Sequence, residues 1–299
     1  MHPLFNKTSD RVADLLDGKK LARAVRDDVR SGVDAWTDDG HRPPQLTVVL
    51  VGDNPASATY VRGKEKDAAE VGIDSDVRRL APDLSEDELL ETVRALNEDD
   101  AVDGQIVQLP LPDHIDERKV IHAVDPAKDV DGFHPENLGR IMIGDPRFVP
   151  ATPFGIMEML RRADIETRGM DAVIVGRSNI VGKPLASLLM QRGADATVTV
   201  CHSKTQRLAE KTRRADLLVA AVGSASFVTA DMVQEGAVVI DVGINRVDDD
   251  SREEGYRLAG DVDFEAVREK AGCITPVPGG VGLMTRAMLL ANTLEAAKL

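Results

Sequence analysis

Apolar runs of strand length alternate with amphipathic stretches of helical length along almost all of this 299-residue chain. LTVVLVG at 46–52 is continuous enough for a strand buried on both faces. Asp53-Asn54-Pro55 then supplies a cap and an N1 proline for a helix ending near Gly72. Ser85 with Glu88 spells a capping box before a second helix ending near Asn97. GQIVQLP at 104–110 is the next strand, and DERKVIHAV at 116–124 the next helix. That order dictates a parallel sheet covered by helices, the α/β class.

A looser stretch follows, rich in Pro, Gly and Asp, and Thr152-Pro153 then opens a helix. Strands resume at DAVIVG (171–176), ATVTVCH (196–202), DLLVAAVG (216–223) and AVVIDVGIN (237–245). A chain of this length suits two domains. The boundary is placed near residue 150, giving domains 1–150 and 151–283. The last helix, 284–299, packs on either one, and pattern alone does not decide.

The charge balance excludes some partners. A formal net charge of −14 argues against non-specific nucleic-acid binding, which needs a basic face. Asp27-Asp28, Asp38-Asp39, Asp99-Asp100 and Asp248–Asp250 are spread along the chain, as on a solvated surface. With twelve lysines beside twenty-five arginines, that surface also fits adaptation to high salt. Apolar runs such as LLVAAV at 217–222 fall short of the roughly 20 residues of a membrane span. MHPLFNKTSDR lacks the apolar core of a secretory signal. Cys201 and Cys273 make neither a disulfide framework nor a zinc spacing, so no metal is expected and the location expected is cytoplasmic.

VGRSNIVGKP at 175–184 lies between a strand and a helix with Pro184 near its start. Such a junction aims free backbone N–H groups and the positive end of a helix at one point, which suits phosphate. A P-loop needs four residues before its Gly-Lys pair and then Ser or Thr; here five intervene and Pro184 follows. The G-x-G-x-x-G of ordinary dinucleotide sites is absent as well, and a tight turn that binds nothing accounts for an isolated glycine pair. The end of the next strand shifts the balance. Where an NAD site carries a carboxylate for the ribose 2′-hydroxyl, this chain has Ser203 and Lys204, with Arg177 in the first turn. Hydroxyl and cationic groups hold a 2′-phosphate that a carboxylate would repel, favouring NADP.

Tyr60 and Lys64 in YVRGKEK lie one helical turn apart, about 5–6 Å on one face. Taken alone, the pair reads as a half-buried tyrosine beside a solvated lysine. Short-chain dehydrogenases use Tyr-x-x-x-Lys for proton transfer, but after their glycine motif, whereas here it precedes the turn by more than a hundred residues. VQLPLP at 107–112 ends a strand with Gln108, and KDVDGF at 128–133 puts Asp129 and Asp131 in a loop. A strand-end amide and a loop carboxylate suit the ligand crevice at the carboxyl edge of an open parallel sheet.

Together these segments resemble the bifunctional methylenetetrahydrofolate dehydrogenase/methenyltetrahydrofolate cyclohydrolase family. The matching strings are YVRGKEKDAAEVGI, VQLPLP, KDVDGFHPENLGR, TPFG, VIVGRSNIVGKP, TVCHSKT, VIDVGIN, GDVDF and ITPVPGGVG, from about residue 46 to the C-terminus. One departure is Leu283, where the family has proline after PGGVG. The resemblance implies an N-terminal α/β folate-binding catalytic domain and a C-terminal Rossmann-like NADP-binding domain with a cleft between them. It implies oxidation of 5,10-methylenetetrahydrofolate with NADP and hydrolysis of the methenyl product to 10-formyltetrahydrofolate, in one-carbon metabolism and purine biosynthesis. It also implies a homodimer.

On this resemblance Lys64 is central to the hydrolysis, Tyr60 packs on the folate, Gln108 hydrogen-bonds Lys64, and Asp131 grips the pterin edge. Val107, Leu109 and the Pro278, Gly279, Gly280, Val281, Gly282 backbone line the folate site. Gly176, Arg177, Ser178, Ser203 and Ile244 contact the cofactor. The redox step then needs alignment more than acid or base, whereas attack of water on the methenyl carbon needs proton movement. An ordinary lysine, with a pKa near 10.4, is neutral in fewer than about one molecule in a thousand at pH 7; burial beside a cationic substrate corrects that. Competing readings are a shikimate-type NADP-dependent dehydrogenase and a non-catalytic NADP- or folate-binding regulator. VQLPLP and PVPGGVG argue against the first, and the intact Lys64, Gln108 and Asp131 against the second.

Overall fold

The computed structural model describes residues 12–252 and 255–299. It opens with β1 (Asp14–Leu15) and α1 (Gly18–Asp38). There follow β2 (Gln45–Val51), α2 (Pro55–Val71), β3 (Asp74–Leu80), α3 (Glu86–Glu98), β4 (Gly104–Val107), α4 (Glu117–Ala123) and α5 (Pro135–Ile143). Next are α6 (Ala151–Arg162), β5 (Asp171–Val175), α7 (Gly182–Leu189), β6 (Thr197–Cys201), α8 (Leu208–Thr212) and β7 (Leu217–Ala220). The last are β8 (Val238–Asp241), β9 (Asn245–Asp248), β10 (Tyr256–Ala259), α9 (Phe264–Arg268), β11 (Cys273–Ile274) and α10 (Val281–Ala296).

Contacts divide the chain into two compact units. One contains residues 12–21 with Thr152–Thr285, the other Ala22–Ala151 with Arg286–Leu299. In the second, three parallel strands run in the order β3-β2-β4, Val48 pairing Val77 on one side and Ile106 on the other. β2 is buried from Leu46 to Val51, as its unbroken apolar run requires, and Leu89, Val93 and Leu96 of α3 pack with Val49 and Val51. The capping box forms as the sequence spells it: the Glu88 amide donates to Ser85 Oγ at 3.3 Å, and the Ser85 amide to Glu88 Oε2 at 2.9 Å.

Two elements of this unit differ from the sequence reading. β3 reads DSDVRRL, too polar to announce a strand; as a sheet edge it leaves Asp74, Ser75 and Asp76 in water. Inside the stretch read as loose lies α5, with Pro135 at its first turn and Nδ1 of His134 accepting from the Glu136 amide at 3.1 Å.

In the other unit six parallel strands run in the order β1-β11-β8-β7-β5-β6. Their core gathers Val173, Val175, Leu218, Ala220, Val239 and Ile274. The order places β5 between β7 and the edge strand β6, so the turn leaving β5 stands at the sheet's carboxyl edge between the turns that leave those two strands. An antiparallel hairpin, β9 with β10, hangs beyond β8.

Candidate active site

The buried stripe of α2 runs Ser57, Val61, Lys64, Ala68, Val71, the spacing of one helix face. Lys64 occupies an apolar position on it and is only 4% exposed, so it does not reach into water as an isolated lysine would. Its Nζ lies 3.2 Å from Oε1 of Gln108 and 5.2 Å from the centroid of the Tyr60 ring. Gln108 follows β4 directly. Its amide donates to Val49 O at 2.9 Å, one step past the strand, and its own Nε2 donates to Leu109 O at 2.7 Å. With Nε2 so engaged, Oε1 is left facing the lysine.

The carboxylate of this site stands on a braced loop. Asp129, 5% exposed, accepts from the His134 amide at 2.7 Å and from Asn137 Nδ2 at 2.9 Å, which commits it to holding the loop. Asn292 of α10 donates to Val130 O at 2.8 Å and Val149 O at 2.9 Å, clamping the residue before Asp131. Gly132 sits at φ +73°, where a Cβ would come within 2.6 Å of Pro150 N, so no larger residue fits. Val107, Leu109, Asp131 and Phe133 border a small cavity between β4 and α4.

The electrostatics of the cluster are dominated by burial. Burial lowers the Lys64 ammonium from its ordinary range, with Asp131 pulling it partly back. Burial likewise raises Asp131, opposed by Lys64. Tyr60 is raised by burial and then by Asp131, so its phenol keeps its proton at neutral pH. An amine that gives up its proton easily, an amide acceptor, a carboxylate and a neutral phenol converge here. That set can move one proton to or from a bound water or a nitrogen heterocycle. Pro278, Gly279, Gly280, Val281 and Gly282 belong to the other unit, at the passage from β11 into α10.

In that other unit the β5–α7 turn packs too tightly for a side chain at two positions. A Cβ on Gly176 (φ +137°) would come within 2.2 Å of Ala221 O, and one on Gly182 within 2.3 Å of Gly176 O. Arg177, Ser178, Ser203 and Lys204 are exposed along the ends of β5 and β6, and Ile244, 59% exposed, stands after β8. A glycine cradle that backbone can approach, with hydroxyl and cationic groups beside it, fits a phosphorylated dinucleotide. The Ser178 hydroxyl accepts from the Val181 amide at 3.1 Å, closing the turn locally. Among the described residues, no group of three or more His, Cys, Asp or Glu could hold a metal ion, and no helix is long and apolar enough to cross a membrane.

Fold and site define a class: a two-unit α/β protein with a nicotinamide-nucleotide-type unit and a separate α/β unit that carries an enclosed lysine. Residues 16–131 match the catalytic-domain profile of tetrahydrofolate dehydrogenase/cyclohydrolase, and residues 150–299 match its NAD(P)-binding-domain profile. The chain belongs to the tetrahydrofolate dehydrogenase/cyclohydrolase family. Bifunctional protein FolD of Salinibacter ruber is 72% identical over 287 residues, 96% of each chain. A crystal structure of the bifunctional enzyme FolD from Campylobacter jejuni superposes with a TM-score of 0.90 at 48% identity, covering 96% of this chain and 99% of that one. The Trypanosoma brucei enzyme, solved with NADP cofactor and an inhibitor, gives a TM-score of 0.92 at 40% identity, covering 96% and 98%.

Sequence reasoning missed several supports of these sites. Asn292 and Arg286 reach their partners from the last helix, across intervals no local pattern reports. Asp241 sits inside VIDVGIN, read as part of a strand, and Asp261 inside GDVDF, read only as a string shared with the family; neither reading marked a buried carboxylate.

Proposed function

We propose that this chain is a bifunctional folate enzyme that oxidises 5,10-methylenetetrahydrofolate with NADP and then hydrolyses the methenyl product to 10-formyltetrahydrofolate. The observation that carries the reading is the enclosed Lys64, 4% exposed and 3.2 Å from Gln108. When bound, NADP supplies the hydride acceptor. The methylene carbon loses hydride readily because the adjacent nitrogen lone pairs share the positive charge left behind. The protein's task in that step is to align, with Gly176, Arg177, Ser178, Ser203 and Ile244 holding the cofactor and Asp131 the donor-rich pterin edge.

Hydrolysis asks more of the side chains. Water adds to the methenyl carbon and one of its protons passes to the neutral amine of Lys64. As the carbinol collapses, the ammonium returns that proton to the ring nitrogen that departs, and the hydroxyl proton is released to solvent as the formyl C=O forms. Enclosure makes the neutral amine accessible, Gln108 fixes its direction, and Tyr60 packs as a neutral ring on the folate and the lysine. Val107, Leu109 and the Pro278–Gly282 backbone line the folate. The family resemblance further assigns a cytoplasmic homodimer that serves purine synthesis. The exposed edge of β6, with Thr199 and Val200 open, is a strand that a second copy can cover. The acidic, arginine-weighted surface supports adaptation to high salt.

Lys64→Met tests the central assignment. Loss of methenyl absorbance falls by about a thousandfold, the scale of a positioned acid–base group. Methylenetetrahydrofolate and NADP continue to bind. Hydrolysis at the wild-type rate would refute the role.

A further inference from the structure

Seven N–H groups converge on two buried carboxylates in the six-stranded unit, and no step described so far uses them. Asp261 Oδ2 accepts from the amides of Val222 at 2.6 Å and Gly223 at 2.9 Å. Its Oδ1 accepts from the Ser224 amide and from Asn245 Nδ2, both at 2.9 Å. Asp241 Oδ1 accepts from the amides of Gly243 and Asp261 at 2.9 Å, and its Oδ2 from Val262 at 3.0 Å. Each carboxylate also needs a glycine opposite. A Cβ on Gly243 would come within 2.2 Å of Asp261 Oδ1, and one on Gly260 within 1.8 Å of Asp241 Oδ2.

The groups gathered by Asp261 occupy a particular place. Residues 222–224 leave β7, and Asn245 closes the turn from β8 that carries Ile244; both turns lie at the carboxyl edge of the sheet. The β7 turn bears directly on the glycine turn, because Ala221 O is the atom that leaves no room for a Cβ at Gly176. Ala221 N donates to Val175 O at 2.8 Å, locking that approach. A line of contacts therefore runs from Asp261 through 222–224 to Gly176, and through Asn245 to Ile244.

We propose that Asp261 is a positioning residue for the nicotinamide cofactor, its carboxylate fixing the turns that leave β7 and β8 against the glycine turn of β5. The inference rests on the cofactor site proposed above. A carboxylate suits the task better than an amide. Its two oxygens accept four donors at once, whereas an asparagine would set its NH2 against N–H groups whichever way it turned. Asp261 is fully enclosed, so water cannot take over the orphaned donors.

Calorimetric titration of NADP into the full chain tests this, read together with steady-state dehydrogenation. In Asp261→Asn, NADP binds more weakly by about tenfold or more and its KM rises in step, while kcat at saturating NADP stays within about threefold of wild type. Unchanged NADP affinity overturns the inference. So does a fall in kcat with KM unchanged, which a loosened fold alone would give. Should Asp261→Asn fail to fold, Asn245→Ala decides by the same titration: it removes one neutral donor and keeps the carboxylate. Weakening by about threefold or more supports the inference, and wild-type affinity overturns it. A wild-type chain that does not bind NADP overturns both this inference and the cofactor reading beneath it, whereas binding indifferent to the substitutions overturns this inference alone.

Discussion

Lys64 shares its face of α2 with Val61, Ala68 and Val71, and a cation on an apolar stripe is held there at a cost. Its folded pKa is lowered, so the folded chain binds fewer protons than the unfolded one between that lowered value and about 10.4. Stability from this group therefore rises with pH through that window and is at its poorest below it. In the wild type Asp131 acts in the opposite sense, because its raised carboxyl binds more protons folded than unfolded and its contribution falls as pH rises. Without Lys64 to oppose its burial, its carboxyl is raised further and the variant favours acid. The stability of Lys64→Met relative to wild type accordingly falls as pH increases from about 6 to about 10. Thermal melts of both proteins across that range check the sign, and a relative stability that is flat or rises with pH would show Lys64 to be ordinary. At this scale the sequence named Tyr60, Lys64, Gln108 and Asp131. Residue type and spacing alone did not separate Asp129, spent on His134 and Asn137, from Asp131, which only the family resemblance singled out, because their difference is one of partners.

α2 meets α10 through a charged contact that local pattern does not announce. Arg286 Nε lies 3.0 Å from Oδ2 of Asp67, one turn beyond Lys64, and a Cβ on Gly63 would come within 1.9 Å of Arg286 Nη1. Arg26 adds its charge to the same carboxylate, while burial raises Asp67 above its usual range. Removing Asp67 leaves Arg286 without its counter-charge and removing Arg286 leaves Asp67 with Arg26 alone, whereas removing both leaves a contact that apolar groups can fill. Asp67→Ala and Arg286→Val should each cost about 3 kcal/mol, and the double variant should fall short of their sum by about 1–3 kcal/mol. Chemical denaturation of the four proteins measures this. Strict additivity would mean the two side chains do not sense each other. Elements with strong local signals were legible: β2 from its apolar run, α2 from Asn54-Pro55, and α3 from its capping box. β3 was not, since an edge strand has no need of apolar residues on both faces. Nor could pattern settle where α10 packs, because Asn292 and Arg286 find their partners more than a hundred residues back.

For the whole molecule, fifty-one carboxylate residues against thirty-seven lysines and arginines leave a net charge of −14. Two opposing effects of salt follow. Exposed ion pairs such as Arg78–Asp76 and Arg207–Glu210 weaken, but such pairs are worth only about 0–1 kcal/mol each. Repulsion among the excess carboxylates weakens too, and with an imbalance this large its relief outweighs the lost pairs. Screening alone would be nearly spent by about 1 M, where the Debye length is already about 3 Å, against about 10 Å at 0.1 M. A surface adapted to salt keeps gaining beyond that point, because the remaining benefit lies in salt-dependent hydration rather than in screening. Melting temperature and dehydrogenase rate are therefore expected to rise between about 0.1 M and 1 M KCl, and the melting temperature to go on rising to about 2 M. A melting temperature that peaks below 1 M and then holds level would reduce the acidic surface to simple repulsion. One that falls with the first additions of salt would mean that the ion pairs govern, and that the charge excess is a solubility device alone.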